Sequence, residues 1–348
     1  GTRVDIASLL DLNRPVDAND RAVWSALVEF GLPGLAVDES VGGAGARPRL
    51  LYAAIEEAAK ALAPTSLVPT VTALDVAVLV GAEAVVRQIA AGAPAAFAVP
   101  LEDSGWLMSG SELPTWDGSR LSGVVPIVAG LPAAEVLLVL AGSPGSDAEV
   151  LVAVEPTNEG VEVVAQQPFD LTATIGTLSL NGATGQMLAA GGDLRNGLEA
   201  SRRRAVLAVA ADSVGGGSRA LAMAVAWARE RQQFDRPIGS FQAISHRCAD
   251  MLVALEGARS QVLAAADDLE AAESDHAVNL AAASALEAAV SAAEGMIQIH
   301  GGIGFTWEHP AHLLLRRARA NAVLIGRPEA LRDRAAPDVV AAVRERKK

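Results

Sequence analysis

The residues best suited to chemistry lie between two helical stretches, in Arg231-Gln232-Gln233-Phe234 and in Phe241-Gln242. A guanidinium offers a planar fork of donors that matches phosphate oxygens, and a phenyl ring can cover a flat heterocycle. The set therefore has the makings of a nucleotide-holding turn. It also has the makings of a charged helix end on a solvated turn, and physics alone leaves both readings open. Other constellations say less. His309 and His312, three apart, could share a helix face and bind a metal, but no third ligand follows in pattern. An ordinary polar helix start after Pro310 is the simpler reading. Arg202-Arg203-Arg204 could attract phosphates, yet three successive arginines point in different directions around a helix and read mainly as a solvated face. The sequence has no Gly-x-Ser-x-Gly elbow, no Walker loop and no Gly-x-Gly-x-x-Gly after a strand, which argues against a Rossmann fold.

Two long helices must present the candidate turn. Before it, Leu207, Ala210, Val214, Leu221 and Val225 recur at helical steps; after it, Ile244, Cys248, Met251, Leu252 and Leu255 do the same. Pro237 and Gly239 punctuate the turn between them. Upstream, helices are expected over Asp20–Phe30 (apolar stripe Val23, Leu27, Phe30; stop at Gly31), Leu51–Leu62 and Thr72–Ile89, with a turn at 64–69. From Phe97 the texture changes to short apolar runs between turn residues: Phe97–Val99, Leu121–Val125, Val136–Ala141, Val150–Glu155, Val161–Val164 and Ile175–Leu180. Such runs, with no crossover helices, indicate a β-barrel or sandwich. Asp193 is the expected N-cap of an Ala-rich helical remainder with breaks at 235–240, 273–276, 301–310 and 326–328, which reads as an antiparallel bundle of four or five helices. The expected fold is α+β, with a helical domain at 1–95, a β-domain at 96–190 and a helical bundle at 191–348.

Composition narrows the function classes. A chain of 348 residues with 51% hydrophobic content can bury a large core. Its net charge of −13 argues against nucleic-acid and anionic-membrane partners, though a local basic site could still hold an anionic cofactor. No apolar run of the roughly 20 residues needed to span a bilayer stands out. Gly1 in place of an initiator Met is expected of a trimmed or tagged chain. The single cysteine, Cys248, sits on a helical apolar face and reads as a core residue in a reducing, cytoplasmic setting.

Three blocks carry a resemblance: "RERQQFDRPIGSFQAISHRCADM" at 229–251, "MIQIHGGIGFTWEHPAHLLLRRA" at 296–318 and "LVEFGLPGLAVDESVGGAG" at 27–45. The chain resembles the acyl-CoA dehydrogenase family over nearly its whole length. The resemblance implies FAD as cofactor, an acyl-CoA substrate, and removal of a proton and a hydride from adjacent carbons of the acyl group. It also implies that the ADP half of each FAD is held by the neighbouring subunit of a dimer. On that pattern the cofactor-binding residues are Arg231, Gln233, Phe234, Phe241 and Gln242 in the first block and Gln298, Gly301 and Gly302 in the second. Glycines let backbone approach a pyrophosphate closely, and Gly301-Gly302 could equally be a plain helix C-cap. Asp235 departs from the family's usual Gly.

The departures are sharper elsewhere. Where the resemblance implies a Trp-x-Ser/Thr platform for the flavin ring, this chain has Pro126-Ile127-Val128, and the usual earlier strand-loop leaves only Glu102 and Ser104 as weak echoes. The two positions where the family carries its glutamate base fall on Ile325, before Gly326, and on Ala205. Asp212, two turns beyond Ala205 on the same face, is the one remaining candidate base, with pairing to Arg219 or Arg204 as its alternative. Contacts to a neighbour's FAD are kept while those to the chain's own flavin ring and base are lost. That asymmetry resembles the degenerate subunit of heteromeric actinobacterial acyl-CoA dehydrogenases, which act on bulky thioesters such as steroid side chains. The implied partner is a homologous chain in a dimer or tetramer. A self-sufficient homo-oligomer with a relocated base and a flavin-free scaffold are the alternatives.

Overall fold

The computed structural model describes residues 4, 9–10, 21–64, 66–102, 105–106, 112–145, 148–269 and 274–345. Asp20, Ser104 and nearly all of the stretch that bears on the family's opening helix lie outside them. Helix α1 (Arg21–Glu29) is amphipathic and buries Val23 and Trp24, whose indole donates to the Gly92 carbonyl at 3.0 Å. Phe30 does not join that stripe: it lies past the last turn and is 81% exposed, and Gly31 turns the chain at φ 69°. Helix α2 (Pro48–Lys60) begins on a proline, where the missing N–H costs nothing. The single helix expected over 72–89 is two, α3 (Leu67–Leu79) and α4 (Glu83–Ala90), because Gly81 at φ 70° ends the first.

All six expected strand runs fall within strands or within one residue of them. They are β1 (Ala95–Ala98), β5 (Arg120–Ala129), β6 (Val136–Gly142), β7 (Glu149–Val154), β8 (Val161–Gln166) and β9 (Ile175–Thr184). The short pairs β2 (Leu101–Glu102), β3 (Gly105–Trp106) and β4 (Thr115–Trp116), and β10 (Gln186–Ala190), were not legible, since none shows an alternating buried face. The main sheet runs β10-β7-β6-β4-β5-β9-β8, with β1 parallel to β6. Strand β5 slips register against β9 between Val125 and Val128, so Pro126 and Ile127 sit in a bulge. A bulge suits proline, which has no N–H for the ladder, and it re-aims the side chain beside it. Thr177 Oγ1 holds the bulge open by donating to the Pro126 carbonyl at 2.9 Å.

The remainder is helical: α5 (Gly192–Glu230), α6 (Gln242–Asp267), α7 (Ser274–His300), α8 (Ala311–Ile325) and α9 (Pro328–Glu345). Gly191 is the N-cap of α5, so Asp193 falls inside its first turn. Small residues let these helices close to backbone contact. A Cβ on Gly215 would lie 2.2 Å from the Glu56 carbonyl oxygen of α2, and one on Gly217 would lie 3.1 Å from Ala289 Cα of α7. The arginine triplet is not a solvated face. Arg202 is 3% exposed and bonds Asp275, Glu199 and Asn279, which ties α5 to α7. One segment, Asp275–Phe305, is long and apolar enough by length and composition to cross a membrane, contrary to the sequence expectation; 67% of its apolar window is buried inside the bundle.

Candidate functional site

Arg231 leaves α5 with its N–H donating to the Trp227 carbonyl at 2.9 Å, and a hairpin follows. Strands β11 (Gln232–Gln233) and β12 (Arg236–Pro237) pair around a two-residue turn in which Phe234 (φ 53°) and Asp235 (φ 61°) are both left-handed. That is the geometry of a type I′ turn, where Asn-Gly is the usual choice. Asp tolerates the conformation; a bulky Phe does so only under strain. Phe234 is 85% exposed at the tip, with its ring edge-on to Phe241 at 6.1 Å, and Arg236 lies 4.1 Å over the Phe241 ring. Gln242 starts α6 and is exposed, as is Gln233.

The second block comes to the same end of the bundle through an aromatic stack. The Arg231 guanidinium lies 6.0 Å from the Trp227 ring, Trp227 stacks on His300 at 5.2 Å, and His300 meets His309 at 4.6 Å. His300 immediately precedes Gly301, which is left-handed at φ 65°. A Cβ on Gly301 or Gly302 would meet nothing within 4 Å, so the backbone there faces open space. Gln298 is exposed on the same helix end. Burial, together with the neighbouring His300 and His312, lowers the His309 pKa and keeps its ring neutral. His312 turns away to stack on Trp307 at 4.5 Å, and among the described residues no group of three or more His, Cys, Asp or Glu could hold a metal. Trp227 and His300 carry the geometry yet had no sequence signal, because each alone is simply an aromatic near a helix end.

The positions at which the resemblance implies a flavin ring and a base also converge. Ala205, Val128 and Ile325 line one small cavity of about 60 Å³ together with Thr72 and Trp106. Among the described residues, no titratable side chain lines it. Trp106, edge-on to Phe97 at 5.1 Å, is the aromatic the sequence reading missed, since it comes from β3 rather than β5. Gly105 seals the loop after α8: a Cβ there would lie 3.1 Å from the Ile325 carbonyl oxygen. Ile127, 40% exposed on the bulge, borders this cavity and two larger ones of about 390 and 720 Å³.

The 390 Å³ cavity is walled mainly by aliphatic groups of α2, α3, α8 and the β9 side, with a buried polar network on one flank. Asp212 pairs with neither Arg219 nor Arg204. Its carboxylate takes two bonds from Arg317, one from Nε at 2.9 Å, and one from Asn321 at 2.9 Å. Arg204 turns to Asp75 at 3.4 Å instead. Arg317 Nη1 also donates to Thr172 Oγ1 at 3.0 Å, and Thr172 donates to Asp170 through both its N–H and its hydroxyl. Burial raises the Asp170 pKa despite Arg317 and Thr172. Arg317 is held above its ordinary value by Asp212 and Asp170 although burial opposes it. Asp170 and Arg317 had no sequence signal either, because both depend on a long-range contact between the β-domain side and α8.

Relatives place this architecture. A family model for the C-terminal domain of acyl-CoA dehydrogenases matches residues 198–339, and one for the N-terminal domain matches residues 9–89. Acyl-CoA dehydrogenase FadE34 of Mycobacterium tuberculosis is 32% identical over 88% of this chain, which spans 40% of that protein. FadE27 of the same organism is 30% identical over 88% of this chain and 85% of its own length. Among solved structures, the ChsE4-ChsE5 complex from M. tuberculosis matches with a TM-score of 0.81 and 26% identity, over 96% of this chain and 94% of that one. The chain therefore belongs to the acyl-CoA dehydrogenase family.

Proposed function

We propose that this chain is the half-site subunit of a two-chain acyl-CoA dehydrogenase: it holds the ADP portion of an FAD whose ring and base belong to a homologous partner. When bound, FAD supplies hydride acceptance. One contrast carries the reading. At the nucleotide end the residues fit, since Arg231 can clamp a pyrophosphate, Gly301 and Gly302 present bare backbone to open space, and Phe234 stands exposed at the hairpin tip. At the ring end they do not fit, since the bulge offers Pro126, Ile127 and Val128, and the base positions are Ala205 and Ile325. No step is assigned to a side chain of this ring end. On the same reading, Asp212 is a structural ion-pair member, and 1–95, 96–190 and 191–348 act as three domains.

The test is flavin content. The 348-residue chain purified alone should carry little FAD and show no acyl-CoA dehydrogenation, and the complex with its partner should hold one FAD per heterodimer. A fully flavinated homo-oligomer would overturn the proposal. It would favour the second reading, a self-sufficient enzyme, for which the buried Asp170 carboxyl beside the 390 Å³ cavity would be the relocated base.

A further inference from the structure

His309 is tied to the turn at Gly301 through a chain of contacts that fixes its protonation. Its Nδ1 accepts the N–H of Ala311, the first residue of α8, at 3.2 Å. A first-turn N–H has no partner within its own helix, so this bond satisfies a group the helix leaves orphaned. An amide N–H can only donate, so Nδ1 is bare and the neutral ring carries its proton on Nε2. His300 has the other form: its Nδ1 lies 2.8 Å from the Met296 carbonyl, which can only accept, so that nitrogen holds the proton. The two rings meet at 4.6 Å, and His300 in turn stacks on Trp227 at 5.2 Å with 18° between the planes. Gly304 closes the turn over the same histidine: a Cβ there would lie 3.0 Å from His300 Cβ, so the Gly301–Phe305 segment rests directly on it.

We propose that His309 is a positioning residue for the Gly301-Gly302 turn: with its ring bonded to the Ala311 N–H it holds His300 against Trp227, and charging the ring releases the turn and weakens its hold on a pyrophosphate. A proton added at Nδ1 would face the Ala311 N–H head-on and abolish the bond. It would also put a positive charge at the N-terminus of α8, where the helix dipole opposes it. The surrounding groups act in the same direction. His300 faces the ring from α7, His312 lies in the first turn of α8 with Arg316 beyond it, and Arg231 stands across the stack at the end of α5. Glu308, the acidic neighbour in sequence, is exposed. Burial and the two histidines together hold His309 below its ordinary value of 6.5. The turn should therefore be firmly held above that pH and loosen as pH falls from 6.5 through the lower folded value. What the turn binds rests on the half-site reading; the coupling of histidine to turn does not.

The isotopically labelled 348-residue chain is titrated from about pH 8 to about pH 5 while the His309 ring and the Gly301 and Gly302 amides are followed by NMR. The same samples receive ADP-ribose, whose pyrophosphate is a diester and keeps its charge over this range. Without ligand, the Gly301 and Gly302 signals should move at the His309 midpoint. Affinity of the wild type for ADP-ribose should fall about 2- to 13-fold through that midpoint, the worth of one hydrogen bond. His309→Asn supplies an uncharged acceptor that reaches the N–H two residues on, so it should keep the affinity seen at high pH and lose the pH dependence. His309→Phe, which keeps a ring but no acceptor, should bind weakly at both ends of the range. Glycine amides that ignore the His309 titration, or a His309→Asn variant as pH-sensitive as the wild type, would overturn the proposal. Amides that follow His309 while ADP-ribose binds at neither pH would support the coupling and overturn the half-site reading instead, so the two fail separately.

Discussion

The Trp227 and His300 rings stack 5.2 Å apart at an interplanar angle of 18°, and this contact brings the end of α5 against the end of α7. Arg231 follows one and Gly301 the other, so the distance between a guanidinium and a bare backbone turn is set by two rings. Trp227→Leu should therefore lower FAD content in the proposed two-chain complex while leaving Arg231 and the Gly301-Gly302 backbone in place. Arg231→Ala should lower it more directly, by roughly 10- to 100-fold in affinity, the worth of a hydrogen bond to a charged group. Flavin absorbance per complex after gel filtration reads both, and full occupancy in Arg231→Ala would remove the loop from the nucleotide site.

Phe234 tests whether strain at the hairpin tip serves assembly. Asn is far better suited than Phe to a left-handed residue of a type I′ turn, so Phe234→Asn should stabilise the isolated chain by about 1 kcal/mol. The same change should weaken association with the partner, because it deletes the most protruding ring on that face. Urea denaturation and analytical ultracentrifugation separate the two effects. A loss of stability would show that Phe234 contributes packing within the chain.

Asp212→Asn is nearly isosteric but leaves Arg317 buried beside a neutral amide. Breaking a buried pair from one side costs about 3–5 kcal/mol, which thermal unfolding will detect. Arg317→Met added to Asp212→Asn should recover much of the loss. Turnover of the assembled complex should change by less than tenfold at a temperature where the single variant is folded; a drop of 10³ or more would make Asp212 catalytic.

Asp170 gives a pH signature of opposite sign to an ordinary ion pair. Its folded-state pKa lies above the ordinary value of 3.8, chiefly through burial, so the folded protein binds this proton more tightly than the unfolded chain. Its contribution to stability is therefore greatest at acid pH and declines as pH rises from about 3.8 toward the folded value, then levels. Asp170→Asn removes that decline. The Tm of the variant should exceed that of the wild type by more at pH 8 than at pH 4, and a gap that narrows with rising pH would contradict the assignment.

The parts of this molecule legible in sequence are those set by local periodicity. Leu207 to Val225 and Ile244 to Leu255 announce α5 and α6, and the six apolar runs announce the long strands, because burial of one face leaves a repeat within a single segment. The split at Gly81 was missed because Thr72–Ile89 is apolar on both sides of the break. At the site, Arg231 and Gly301-Gly302 could be named from their own chemistry. Trp106, Asp170 and Arg317 could not, since each acquires its role from a partner brought in by the fold. The arginine triplet reads as solvated in sequence for the same reason: Arg202 is buried because α7 presents Asp275 and Asn279 to it.

Ile127 borders the three cavities described above, so the side chain at this bulge sets the room in each of them. An indole there would narrow all three together, so the room beside the bulge is not adjusted in one cavity without the others.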